Sequence, residues 1–98
     1  MSTIGKVMYT EVSNVWESQA SSPEEALALQ ARADLMINLR EIIHKNGWNQ
    51  KEAAIHLGIT QNRVSYISTG QVSKFTTDKL IGLLSKAGYK VSLTVRAA

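Results

Sequence analysis

Cysteine is absent from this 98-residue sequence, and proline occurs only once. The lack of cysteine excludes disulfides and thiol catalysis, and it is typical of proteins from a reducing compartment. No apolar run approaches the ~20 residues that cross a bilayer, and no secretory hydrophobic region follows the first residues. We therefore expect a cytoplasmic protein with no membrane partner. The hydrophobic share of 44% and the charged share of 19% are ordinary for a globular domain.

Residues for catalysis or metal binding are equally scarce. The only two histidines, His44 and His56, fall on different predicted helices, and no cysteine completes a ligand set. No glycine-rich phosphate loop appears, and no serine has the setting of a nucleophile. The adjacent Glu24 and Glu25 suit a helix start better than acid–base chemistry. The sequence thus predicts no catalytic residue, no metal site and no cofactor, and we do not expect an enzyme.

Charge is unevenly distributed along the chain. Residues 1–46 carry four basic and six acidic side chains, a net charge of −2. Residues 47–98 carry seven basic and two acidic side chains, a net charge of +5. A basic half is typical of proteins that bind a polyanion, although an imbalance of this size also arises by chance. The second half is therefore a candidate nucleic-acid surface.

Local signals divide the chain into an N-terminal arm, residues 1–21, and one domain, residues 22–98. The arm alternates loosely between apolar and polar residues, and only a short helical turn is expected in it. A strong helix start follows the arm, because Ser22-Pro23 precedes two acidic residues. Asn46-Gly47 is an end signal. A long first helix is expected between these two signals.

The segment from Gln50 to Thr69 predicts two short helices joined by a tight turn. Gly58 lies in the turn, where a positive φ suits glycine, and Ala54 is small where the two helices would cross. The side chains expected to face the core are Ala53, Leu57, Ile59, Val64 and Ile67. This spacing is that of a helix-turn-helix unit, which also occurs as a plain structural corner.

The outward side of the second short helix carries neutral side chains that form hydrogen bonds. Glutamine and asparagine match adenine in the major groove, whereas serine, threonine and tyrosine bond bases or phosphates. The start of the first short helix attracts a phosphate through its backbone N–H groups. Arg63 is expected either to bond a phosphate or to brace the motif internally. The candidate DNA-binding residues are Gln50, Lys51, Thr60, Gln61, Asn62, Arg63, Ser65, Tyr66, Thr69 and Lys74.

The last helix is expected to end near Ala87, where the period of the pattern changes from helical to two. Residues 89–95 then predict a half-buried strand whose apolar side is formed by Tyr89, Val91, Leu93 and Val95. A lone strand leaves its backbone groups unpaired, so the expected partner is the same strand of a second copy. The alternative is pairing with residues 7–12 of the same chain.

The stretches NQKEAAIHLGITQNRVSYISTG and KFTTDKLIGLLSKAGYKVSLTV resemble the XRE/Cro-type helix-turn-helix family. With SNVWESQASSPEEALALQARADLMINLREII before them, they are most similar to its HigA-type antitoxin branch. The resemblance implies an all-α, five-helix, lambda-repressor-like domain with a long N-terminal helix and a C-terminal dimerisation strand. One departure is Asn62, where this branch often has proline.

The same resemblance implies a function. Members form homodimers that repress transcription from palindromic operators in double-stranded DNA of the bacterial nucleoid. Antitoxin members repress their own operon and neutralise a ribonuclease toxin of the HigB/RelE type. Candidate toxin contacts are Val12, Val15 and Trp16, with folding of Trp16 back onto the long helix as the alternative. Two other hypotheses are a phage-like or metabolic regulator without a toxin, and a module that binds protein only.

Overall fold

The computed structural model describes residues 22–97, which form four α-helices. They are α1, Pro23–Lys45; α2, Gln50–Leu57; α3, Gln61–Ser68; and α4, Thr77–Lys86. The all-α class is confirmed, but the expected count of five helices is not reached within this range. The chain between α3 and α4 is so short that it holds only one turn of 3₁₀ helix, Val72–Lys74. Val12, Val15 and Trp16, with the rest of the predicted arm, lie outside the described residues.

Side-chain caps explain where the helices begin. Each N-cap side chain accepts a hydrogen bond from the backbone N–H three positions further on, at 2.8–3.2 Å. The four N-cap residues are Ser22, Asn49, Thr60 and Thr76. At the other end of α1, Asn46 and Gly47 stop the helix as predicted. The boundaries expected from the sequence are therefore confirmed to within about a residue, the usual uncertainty of helix ends.

The main core lies between α1 and α4. It consists of Leu35, Met36, Leu39, Ile42, Leu57, Ile67, Phe75, Leu80, Leu83 and Leu84, all of them buried. Within α1 these residues recur at helical spacing, so they share one face of that helix. One residue from α2 and one from α3 reach the same cluster, and this fixes both short helices on the α1–α4 pair.

A smaller cluster fills the crossing between α2 and α3. Ala53, Ala54 and Val64 are buried there, and the two alanines let the helices approach closely. Three half-buried side chains pack against both this cluster and the main core: Ile43, Trp48 and Ile59. The predicted core set of the motif is thus confirmed, with Ile59 half-buried rather than fully buried.

The strand predicted at residues 89–95 is not formed. A strand needs a ladder partner, and the rest of the described chain contains helices and loops but no strand. The segment is held at its start, where the Tyr89 N–H donates to the Leu84 carbonyl at 2.9 Å. Tyr89 and Val91 pack against the main core, whereas Leu93 and Val95 are 64% and 93% exposed. The alternative partner, residues 7–12, lies outside the described residues.

Candidate nucleic-acid interface

The turn between α2 and α3 sets the angle of the motif. Gly58 ends α2 in the left-handed conformation, with φ 68° and ψ 34°. Its N–H donates to the Ile55 carbonyl at 3.3 Å, and the Ile59 N–H donates to the Ala54 carbonyl at 3.1 Å. Two residues later Thr60 starts α3. The chain therefore reverses with its backbone hydrogen bonds satisfied, as a tight helix-turn-helix corner requires.

Replacing Gly58 by alanine should destabilise the domain by about 1–2 kcal/mol, because the left-handed backbone is unfavourable for an L-residue. An added Cβ would also lie 2.8 Å from the Nζ atom of Lys86, but that flexible ammonium can move away at little cost. Gly47→Ala is the matched control, with φ 69° and open space around its Cβ. Urea unfolding should give similar losses for both variants. A much larger loss at Gly58 would show that Lys86 is fixed over the turn.

Helix α3 has one buried side and one open side. Val64 and Ile67 are buried in the two clusters, so the helix is anchored by its aliphatic side. Gln61 and Asn62, in the first turn, are exposed. The N-terminal residues of a recognition helix are those that reach base edges in the major groove. The arrangement therefore presents two amide side chains where base contacts are made.

The candidates further along α3 and at its C-cap are less available for contact with DNA. Ser65 and Tyr66 are half-buried on the outward side. The Thr69 hydroxyl is already used within the protein, since it donates to the Ser65 carbonyl at 2.9 Å and accepts from Gln71 Nε2 at 2.9 Å. The sequence does not indicate a role for Gln71, because this residue lies after the end of α3, where helical periodicity gives no signal. Thr69 and Gln71 together fix the end of the helix.

The start of α2 forms a second part of the surface. Asn49 and Glu52 form a capping box, with hydrogen bonds of 2.8 and 2.9 Å. The box satisfies the N–H groups of these two residues and leaves those of Gln50 and Lys51 at the positive end of the helix dipole. Both side chains are exposed. Lys51 adds a full positive charge, which offsets the Glu52 carboxylate beside it.

The sequence allows Arg63 either to bond a phosphate or to brace the motif internally. In the structure it makes the internal contact. Its guanidinium lies 4.6 Å from the centre of the Phe75 ring. Its Nη2 atom donates to the Lys74 carbonyl at 3.1 Å. Arg63 is half-buried, so the geometry is that of a brace between α3 and the loop before α4. Sequence reasoning missed Phe75, because a contact across a loop leaves no periodic signal.

Lys74 is exposed and lies beside α3. Its Nζ atom is 5.2 Å from the centre of the Tyr66 ring, within the range of a cation–π contact. The loop after α3 thus places a positive charge next to the outward side of the helix. Sequence reasoning included both residues as candidates but gave no reason to place them together.

Trp48 packs against both the main core and the smaller cluster beneath the motif. Its outer face stacks on the imidazole of His56, with ring centres 4.2 Å apart and planes 10° from parallel. His44 is exposed, and within residues 22–97 there is no group of three or more potential metal ligands. Ile55, on α2, is 71% exposed. None of the described helices is long and apolar enough to cross a membrane.

Comparison with known families agrees with this geometry. A helix-turn-helix domain family of the Cro/XRE-like kind matches residues 19–96. Neither a curated protein nor a solved structure matches the chain. The resemblance to the Cro/XRE-like family is therefore confirmed. The match does not show membership of the narrower antitoxin branch. Because the match covers most of the chain and α2–α3 has the geometry of the motif, the chain belongs to this Cro/XRE-like helix-turn-helix domain family, a family of DNA-binding regulators.

Proposed function

We propose that the chain is a sequence-specific transcriptional repressor that binds a palindromic operator as a homodimer. The observation that carries the proposal is the two-sided α3, which exposes Gln61 and Asn62 while Val64 and Ile67 are buried. Such a helix can enter the major groove while its buried side chains stay packed against the rest of the domain. The N–H groups at the start of α2 and the ammonium of Lys74 in the loop after α3 offer partners for DNA phosphates.

Selection of bound duplexes from a random pool tests the proposal. We expect an inverted repeat with half-site centres about one helical turn apart, because two α3 helices of a symmetric dimer would lie about 34 Å apart. Affinity for the selected site should fall steeply with salt, since each phosphate contact releases counterions. The control is a duplex with both half-sites scrambled. If no sequence is enriched and no salt-dependent binding occurs, the proposal is wrong and a protein-only module is favoured.

The proposed dimer is supported by the segment after α4. Leu93 and Val95 are open apolar side chains on a stretch that alternates at period two. An exposed stretch of this kind is suited to antiparallel pairing with its own copy. Pairing across a two-fold axis would supply the missing ladder and cover both side chains.

Changing both Leu93 and Val95 to lysine should convert the dimer into a monomer, because four charges would face one another across the seam. Both positions are exposed, so the fold of the single chain should be retained. Light scattering over a concentration series measures the change. Thr94→Lys is the control on the other side of the alternation and should leave the dimer intact. An unchanged dimer in the double variant would reject this seam.

We further propose that the repressor serves as the antitoxin of a toxin–antitoxin pair. Support comes from the sequence resemblance and from α1, where Leu27 and Ile37 are large apolar side chains open to solvent. Both side chains are accessible for contact with a protein partner. An adjacent gene should then encode a small ribonuclease that stops growth alone and is tolerated on co-expression. Absence of such a gene would favour the regulator without a toxin.

A further inference from the structure

We propose that Tyr66 is a positioning residue, whose ring holds the Lys74 ammonium in place to bind a phosphate. This inference rests on the proposed DNA-binding function and assigns a role within it. Tyr66 was a candidate for direct contact with DNA by virtue of its place on α3. The structure instead places its ring against a lysine from the following loop. Two independent contacts, one on the backbone and one on the side chain of Lys74, carry the argument.

The first contact fixes the backbone of Lys74. Lys74 ends the 3₁₀ turn, where its N–H donates to the Gln71 carbonyl at 3.1 Å. Its own carbonyl accepts from Arg63 Nη2 at 3.1 Å. Arg63 is in turn held over the ring of Phe75, which is buried in the main core. The Cα atom of Lys74 is therefore tied to α3 and to the core.

The second contact restricts the side chain. A lysine has four flexible methylene groups, so an exposed lysine ordinarily loses much conformational freedom when it binds a phosphate. Here the ammonium already lies over the Tyr66 ring in the free protein, at 5.2 Å from its centre. Part of that ordering is thus complete before DNA arrives. Preorganisation of this kind raises affinity by lowering the entropic loss on binding.

The ring also leaves the charge available. A carboxylate partner would neutralise the ammonium and compete with a phosphate, whereas an aromatic face attracts it without a formal negative charge. Tyr66 is four residues after Asn62, so the two share one side of α3. The ammonium therefore flanks the side of the helix proposed to read bases. A phosphate of the strand beside the groove fits this position.

Salt dependence of DNA binding tests the assignment. Lys74→Ala should reduce the slope of log Kd against log salt concentration by about one per protomer, because each protomer loses one phosphate contact. Tyr66→Leu should raise Kd and reduce the slope by a smaller amount although it removes no charge, because the ammonium then occupies the phosphate position for only part of the time. Tyr66→Phe keeps the ring and should restore the full slope. Combining Tyr66→Leu with Lys74→Ala should reduce the slope no further than Lys74→Ala alone, because both changes act on the same contact.

Nuclear magnetic resonance of the free protein adds a readout that does not depend on DNA. The Tyr66 ring current should shift the ε-protons of Lys74 upfield of those of Lys79, an exposed lysine on α4. The shift should persist in Tyr66→Phe and vanish in Tyr66→Leu. Wild-type binding without any salt dependence would overturn the proposed function. Salt-dependent wild-type binding with a full slope in Tyr66→Leu, or an absent upfield shift, would overturn only the role of Tyr66.

Discussion

Replacing Ile67 by alanine should destabilise the domain by about 2–5 kcal/mol, the range for removing a large aliphatic side chain from a packed core. Ile67 is 0% exposed and lies in the main cluster with residues of α1 and α4. It is the deepest point at which α3 is anchored. Because a domain of this size has about 5–15 kcal/mol of total stability, one such loss consumes a large part of it. The melting temperature should fall by about 4–8 °C per kcal/mol.

Chemical denaturation at a fixed protein concentration measures this loss, since dimer formation would make stability depend on concentration. Ser68→Ala is the matched control, because Ser68 is the next residue and is exposed. Exposed changes of this kind usually alter stability by less than about 0.5 kcal/mol. If Ile67→Ala costs no more than Ser68→Ala, α3 is not anchored by its aliphatic side, and the basis of the proposed DNA surface is removed.

Gln61→Ala should weaken binding to the selected operator by about 1–3 kcal/mol per half-site, which is roughly a 5- to 150-fold increase in Kd for each half-site. The loss should be smaller on scrambled DNA, because a base contact contributes only when the correct base is present. Lys51→Ala should instead weaken binding to every sequence by a similar factor and reduce the salt slope by about one per protomer. Gel-shift titration on both duplexes at several salt concentrations separates the two patterns.

Lys45→Ala serves as the control for loss of a single positive charge, because Lys45 is exposed at the end of α1 and outside the candidate surface. It should change affinity less than Lys51→Ala does. Neither Gln61 nor Lys51 is buried, so both variants should fold normally, and circular dichroism checks this. If Gln61→Ala and Lys51→Ala give the same pattern on both duplexes, the division into base and phosphate contacts is wrong.

Local chemistry explains why the helix boundaries could be predicted. Ser22, Asn49, Thr60 and Thr76 act through a hydrogen bond that spans only three residues, so the information lies within one turn. Gly58 likewise acts through its own backbone angles. The buried set of the motif was also predictable, because helical periodicity places Val64 and Ile67 on one side.

Contacts between distant parts of the chain were not predictable in the same way. The contact between Arg63 and Phe75 forms only once the loop after α3 is folded. The stacking of Trp48 on His56 joins a residue before α2 to the last turn of that helix. The alternation at residues 89–95 indicates that a strand is compatible with the sequence. It does not indicate whether a neighbouring strand is present. A helix forms its backbone hydrogen bonds within one segment, whereas a strand needs a second strand to pair with.

The side chains that contact both clusters determine how the domain unfolds. Because Ile43, Trp48 and Ile59 contact both clusters, α3 cannot lift away from α1 without opening the main core as well. Local detachment of the recognition helix would therefore cost nearly as much as global unfolding, and the amide protons of α3 and α1 would exchange with solvent in one cooperative event. The orientation of α3 is therefore maintained as long as the whole domain stays folded.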